Sequence, residues 1–112
     1  MRQIGVEDYR IGELAFAYIK RQLQLDRHEL TSQRRVRPLL RARSLFTWIM
    51  RNHTGNPPAS YPAIGTMLGG RNHATIINSA VNADSLIERD ERFVALCTGF
   101  AAFKRERSGD LA

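Results

Sequence analysis

The sequence has one cysteine, Cys97, so no disulfide can close within the chain and no cysteine-built zinc site can form. That usage suits a reducing, cytoplasmic setting. No apolar run approaches the roughly 18 residues that a membrane span needs. Residues Met1 to Gly5 do not read as a signal peptide, so no membrane partner is expected. Lysine is almost missing. Lys20 and Lys104 are the only two, and neither follows a G-x-x-x-x-G-K-[ST] phosphate loop, which excludes a nucleotide-driven motor of that type. His28, His53 and His73 show no metal-ligand spacing, and no nucleophile–base pattern stands out. The expectation is therefore no enzyme, no metal and no cofactor. Cys97 reads as a small buried hydrophobe. Aromatic residues are 8% of the chain and fall mainly on apolar stripes, unlike the exposed stacking surfaces of single-stranded RNA readers.

The most informative absence is acidic. From Leu30 to Ala83 there is no Asp or Glu, while seven arginines stand there: Arg34, Arg35, Arg37, Arg41, Arg43, Arg51 and Arg71. Residues 1–29 balance five bases against five acids, and residues 84–112 hold five bases against six. The net charge of +6 is thus carried entirely by the middle of the chain. Solubility alone favours mixed signs, with acids more effective than bases. An acid-free arginine segment better suits phosphate, because guanidinium donates in a planar fork and stacks on bases.

With 112 residues, 43% hydrophobic and 25% charged, the composition is that of one small globular domain. A first amphipathic helix is expected from about Val6 to Leu25, burying Ile11, Leu14, Ala15, Tyr18 and Ile19 at three- and four-residue steps. Residues 26–38 read as a polar connector. Pro38 should open a second helix reaching about His53, with Leu39, Leu45, Trp48 and Ile49 inward and Arg41, Arg43 and Arg51 exposed. Thr54 to Ser60, with Gly55, Pro57 and Pro58, reads as a loop. Ser60 then caps a short helix from Tyr61 to Leu68, and Gly69-Gly70 closes it. Asn72 can cap the next helix, carrying Ile76, Ile77, Ala80, Val81 and Ala83 inward and extending to about Ile87. A last helix, about Asp90 to Arg105, packs Phe93, Leu96, Cys97, Phe100 and Phe103. No window alternates as a strand does, so the fold class is all-α, with five or six helices.

Ser60 to Val81 has the outline of a helix-turn-helix: a short apolar helix, a glycine turn and a second helix. That second helix opens with Arg71, Asn72, His73, Ala74 and Thr75. In such motifs this end enters the major groove. There Asn can pair with adenine, Arg with guanine, and Ala or a Thr methyl can touch the thymine methyl. Backbone N–H groups at a helix start can also hold phosphate. The same pattern also describes an αα-hairpin with Asn72 and Thr75 as plain caps. The surrounding arginine zone favours DNA.

Gly69-Gly-Arg-Asn-His-Ala-Thr-Ile76 resembles the G-G-R-D-H-T-T-V signature of the C-terminal DNA-binding domain of the bacterial replication initiator DnaA. Pro62-Ala-Ile-Gly65 resembles that family's P-E-I-G, and Arg43-Ser-Leu-Phe-Thr-Trp-Ile-Met-Arg51 its helix R-Q-x-A-M-x-L-x-[KR]. The resemblance runs from roughly Arg37 to Phe93. It implies a Trp-repressor-like helix-turn-helix, minor-groove insertion by Arg43, major-groove and phosphate contacts from Arg71 to Thr75, and backbone contact by Arg51. Three departures stand out. Asn72 replaces an Asp, Ala74 replaces a Thr, and the loop after His53 is longer, with Asn56-Pro57-Pro58-Ala59. Asn and Asp face different base edges, so the preferred site is expected to differ from the usual initiator box.

The expected organisation is an N-terminal helix and connector at 1–36, the helix-turn-helix domain at 37–107 and a tail at 108–112. The expected partner is double-stranded DNA, bound sequence-specifically to regulate replication initiation or transcription. Expected contacts are Arg41, Arg43, Arg51, Ser60 and Arg71 to Thr75. Two other functions fit the same residues: a non-specific nucleic-acid binder, and an adaptor that also holds a replication protein. The N-terminal helix either completes the core or forms a homodimer interface, so monomer and homodimer both remain open.

Overall fold

The computed structural model describes residues 4–109; residues 1–3 of the expected N-terminal segment and 110–112 of the expected tail lie outside the described residues. The first helix, α1 (Val6–Leu23), carries Glu7 and Asp8 in its first turn and Lys20 and Arg21 in its last, as the helix dipole favours. Its inner stripe of Ile11, Ala15, Tyr18 and Ile19 is buried. It ends two residues earlier than the periodicity suggests, where Gln24 takes a left-handed conformation at φ 58°.

The connector contains a helix that the apolar pattern does not reveal, α2 (Arg27–Leu30). It is held by a capping box: the Asp26 carboxylate accepts from the Glu29 N–H at 2.9 Å, and the Glu29 carboxylate accepts from the Asp26 N–H at 3.3 Å. Then follow α3 (Arg37–His53), with Pro38 in its first turn, α4 (Tyr61–Met67), α5 (His73–Arg89) and α6 (Glu91–Gly109). Asp90 opens α6 by accepting from the Phe93 N–H at 3.1 Å. Among the described residues there is no strand.

The fold is organised around α3, which packs against α1, α2, α5 and α6. Leu39, Ala42, Leu45, Phe46, Ile49 and Met50 are all buried. So are polar Arg43, Ser44 and Thr47, because neighbours cover α3 on nearly every side. Each polar group is matched. The Thr47 hydroxyl donates to the Arg43 carbonyl at 2.9 Å, and the Ser44 hydroxyl accepts from the Asn82 amide on α5 at 2.9 Å. Phe16 of α1 lies against Phe46 with ring centroids 4.6 Å apart. Truncating a buried ring such as Phe46 to alanine costs about 3–5 kcal/mol.

On α6, Phe93, Cys97, Phe100 and Phe103 are buried as expected. Two expectations for α5 fail. Ile77 and Val81 are 38% and 60% exposed, because α5 is covered only along its Ile76–Ala83–Leu86 line.

Candidate nucleic-acid interface

The helix-turn-helix is built by close backbone packing. Ser60 caps α4 by accepting from the Ala63 N–H at 3.2 Å. The Gly65 carbonyl then accepts from both Gly70 and Arg71, each at 2.9 Å, folding the turn back on α4. A side chain at Gly65 would run into the Arg71 carbonyl, so this approach requires glycine. Gly69 takes φ +93°, and a Cβ there would sit 2.5 Å from the Thr31 carbonyl. The turn is therefore seated directly on the connector between α2 and α3.

Asn72 caps α5. Its carboxamide oxygen accepts from the Thr75 N–H at 2.9 Å and from the Thr75 hydroxyl at 3.1 Å. While that cap stands, Asn72 offers only its –NH2 donors, and a two-bond pairing with adenine would require giving up the cap. His73, Ala74 and Thr75 are exposed beside it.

The structure corrects the expected exposure of three arginines. Arg43 is 3% exposed. Its guanidinium donates from Nε to the Leu30 carbonyl at 2.8 Å, from Nη1 to Arg34 at 2.7 Å, and from Nη2 to Ser32 at 2.9 Å and Glu29 at 3.3 Å. All four acceptors belong to the α2–α3 region, so Arg43 holds that connector in shape. Arg41 is half-buried, pairs with Asp90 at 2.9 Å and lies over the Phe93 ring. Asp90 is at the far end of α5, about 25 Å along the helix from His73. Arg51 is also half-buried. It donates to the Ala59 carbonyl at 2.8 Å and lies 4.3 Å above the Tyr61 ring, fixing the entry to α4 beside Ser60.

The expected residues thus fall into three places. Arg71 to Thr75 form one surface, with Arg43 beneath it. Arg51 and Ser60 sit at the start of α4. Arg41 stands apart. Arg71 donates to the Leu68 and Ser32 carbonyls, so it and Arg43 share the Ser32 oxygen.

Beside the first turns of α5 lies a cleft of about 180 Å³ whose lining includes Gln33, Arg35, Arg43, Arg71, Thr75 and Ser79. Burial first, then the Arg71 and Arg35 charges, draw the Arg43 pKa down to about 10. Burial, then Arg35, lowers that of Arg71. Arg35 stands in the acid-free segment with no motif to single it out. The outward face of α5, where Ile77, Asn78 and Val81 follow Ala74 at the three-, four- and seven-residue steps of one helix face, likewise lies outside the sequence motifs. That spacing was available; the solvent exposure was not.

Among the described residues, no cluster of His, Cys, Asp or Glu could hold a metal ion, and no helix is long and apolar enough to cross a membrane. No solved structure matches the chain. The chromosomal replication initiator protein DnaA of Sphingopyxis alaskensis is 36% identical over 72 residues, covering 64% of this chain and 15% of that protein. The DnaA of Rhizobium johnstonii is 29% identical over 91 residues, 81% of this chain and 17% of its own length. That of Geobacter metallireducens is 33% identical over 78 residues, 70% of this chain and 17% of its own length. The chain therefore spans only about one sixth of these relatives. A family model described as the bacterial dnaA protein helix-turn-helix matches residues 14–82, beginning inside α1 and ending in α5. With a glycine turn seated on its connector and an acid-free helix start beyond it, this chain belongs to the bacterial DnaA helix-turn-helix family.

Proposed function

We propose that the chain binds double-stranded DNA sequence-specifically, with the start of α5 in the major groove. The observation that carries this reading is the exposed, acid-free first turn of α5, where His73, Ala74 and Thr75 stand beyond the glycine turn. His73 and Ala74 face base edges, Thr75 contacts an edge or a phosphate, and Asn72 donates from its free –NH2. Arg71 stands at the groove margin. Ser60 and Arg51, at the start of α4, lie close to the sugar–phosphate backbone. Arg43 acts through the connector it shapes, which presents exposed Arg34, Arg35 and Arg37 for the minor-groove approach that the family resemblance suggests for Arg43 itself. Arg41 lies near the junction of α5 and α6 with its charge matched by Asp90, so it is assigned no direct contact. The relatives are named as replication initiators, so the proposed role is regulation of replication initiation or of transcription at sites of that kind. No reaction is assigned to the chain.

Selection from a random duplex library, followed by anisotropy titration of the selected and scrambled duplexes at two salt concentrations, tests the proposal. Specific DNA binding commonly exceeds non-specific binding by ~10³-fold or more. Equal, salt-sensitive affinity for both duplexes would instead identify a non-specific binder. A salt-insensitive interaction would remove DNA as the partner, because each neutralised phosphate contributes a slope of about −0.9.

A further inference from the structure

The inner stripe of α1 completes the core, while its outer face presents apolar side chains to solvent. Val6 is 88% exposed, the most exposed large apolar side chain among the described residues, and Tyr9 is 54% exposed. Leu14 and Ala17 are half-buried beside them. With Arg10, Glu13 and Arg107 of α6, they line a groove of about 500 Å³. Val6, Arg10, Glu13 and Ala17 follow one another at steps of four, three and four along the middle of the face, and Tyr9 and Leu14 flank them. The charges here are balanced: Arg10 pairs with Glu7 at 2.8 Å, and Glu13 pairs with Arg27. The face is thus unlike the acid-free surface at the start of α5, and it lies away from it. Phe46 of α3 meets α1 while Ser44 of α3 meets α5, and a step of two residues turns a helix by about 200°. So α1 and α5 cover nearly opposite sides of α3.

The order of these residues is complementary to its own reverse. We infer that the outer face of α1 is a homodimer seam, packed antiparallel on α1 of a second copy about a twofold axis midway between Arg10 and Glu13. In that register Val6 of one copy is level with Ala17 of the other, Tyr9 with Leu14, and Arg10 with Glu13. The twofold repeats each pairing, so both charged residues of each copy meet the opposite sign and the apolar positions meet apolar ones. A parallel pairing would set Arg10 against Arg10 and Glu13 against Glu13, and would bring like ends of the two helix dipoles together. Arg10 and Glu13 each have a partner within their own chain, so opening the seam strands no charge. From Val6 to Ala17 the seam runs only ~16 Å, which makes the dimer a transient, concentration-dependent one.

Sedimentation equilibrium of the full chain without DNA, over a wide range of concentration, reads the association. The mean mass is expected to rise from 12.7 kDa toward twice that value. Arg10→Glu sets acid against acid at both charged pairs of the seam, and Glu13→Arg sets base against base. Each should weaken self-association ~10-fold, because the twofold makes one substitution act twice. Mixed in equal amounts, the two variants restore both pairs with the signs exchanged. The mixture should therefore associate about as tightly as the natural chain, while neither variant does so alone. Val6→Ser should weaken the dimer without any change of charge. All three side chains are well exposed, and melting followed by circular dichroism checks that the fold is kept. A mass of 12.7 kDa at every concentration would overturn the inference. So would a dimer indifferent to all three substitutions, which places the seam elsewhere, or a mixture no tighter than its separate components, which refutes the antiparallel register. None of these outcomes depends on DNA, so the DNA-binding reading stands or falls separately.

Discussion

Replacing Arg43 by lysine separates two roles that this residue could have, reader and clamp. Lysine keeps the charge and most of the length but has one nitrogen in place of a fork. In the structure the fork serves four carbonyls, three at 2.7–2.9 Å and one at 3.3 Å. A single ammonium can satisfy one or two of them, so about two charge-assisted bonds are lost. At ~1.5 kcal/mol each, Arg43→Lys should cost about 3 kcal/mol of stability. For a domain of this size that lowers the melting temperature by roughly 10–20 °C. Urea unfolding followed by circular dichroism at 222 nm measures the free energy directly. A minor-groove reader makes the opposite prediction: normal stability and weakened DNA binding. If Arg43→Lys melts within about 2 °C of the natural chain, roughly 0.5 kcal/mol, while losing DNA affinity, the clamp reasoning is refuted.

Four further outcomes are expected. Asn72→Ala should cost about 1 kcal/mol through the lost α5 cap, whereas Asn72→Asp should keep the melting temperature and move the selected site toward cytosine, whose amino group a carboxylate accepts. Gly65→Ala should cost about 1–3 kcal/mol and impair DNA binding, since the new methyl pushes the Arg71 carbonyl and with it the turn; an unchanged melting curve would contradict that packing. Burial, and the Lys104 ammonium 3.1 Å from Nδ1, hold His53 below its ordinary pKa of 6.5. The unfolded chain then binds that proton more readily, so stability should fall as pH drops through 6.5, and His53→Phe should flatten the melting temperature between pH 7.5 and 5.5. Deoxyuridine in place of thymidine in the selected duplex removes methyl groups from the major groove. If Ile77 or Val81 covers one, binding should weaken about fourfold, ~0.8 kcal/mol, and the loss should vanish in Ile77→Ser or Val81→Ser; an effect unaltered by either substitution would place the methyl contact elsewhere.

The parts of the fold that were legible in the sequence are those with local causes. Pro38, Ser60, Gly69-Gly70 and Asn72 mark helix ends through backbone chemistry that needs no distant partner. The stripes of α1 and α6 follow from period alone. The helix α2 was missed because four residues carry no period, although Asp26 and Glu29 at capping-box spacing did mark it. The burial of Arg43 lay beyond any local pattern. Polar residues at 43, 44 and 47 look like the wet side of an amphipathic helix. The sequence around them does not say that α2, the connector and α5 cover that side too. Ile77 and Val81 failed for the converse reason, since an apolar residue turns inward only where a neighbour exists to receive it. For the candidate site, the first turn of α5 was readable as a motif. The cleft depends on Gln33 and Arg35 meeting Thr75 and Ser79, and separations of about forty residues leave no sequence signal.

The contact between Gly69 and the Thr31 carbonyl also bears on how chain length can vary. A residue added between Thr31 and Val36, or within Leu68–Asn72, would shift one backbone past the other and break the Ser32 carbonyl's link to Arg43 and Arg71. The loop after α3 has no such restraint at its tip. Thr54 closes its base by donating to the Met50 carbonyl and accepting from the Ala59 N–H, and nothing lies within 4 Å of where a Gly55 Cβ would be. Length changes among descendants of this sequence should therefore accumulate at residues 55–58. A peptide tag or fluorophore inserted there should leave both the fold and the α5 surface in place.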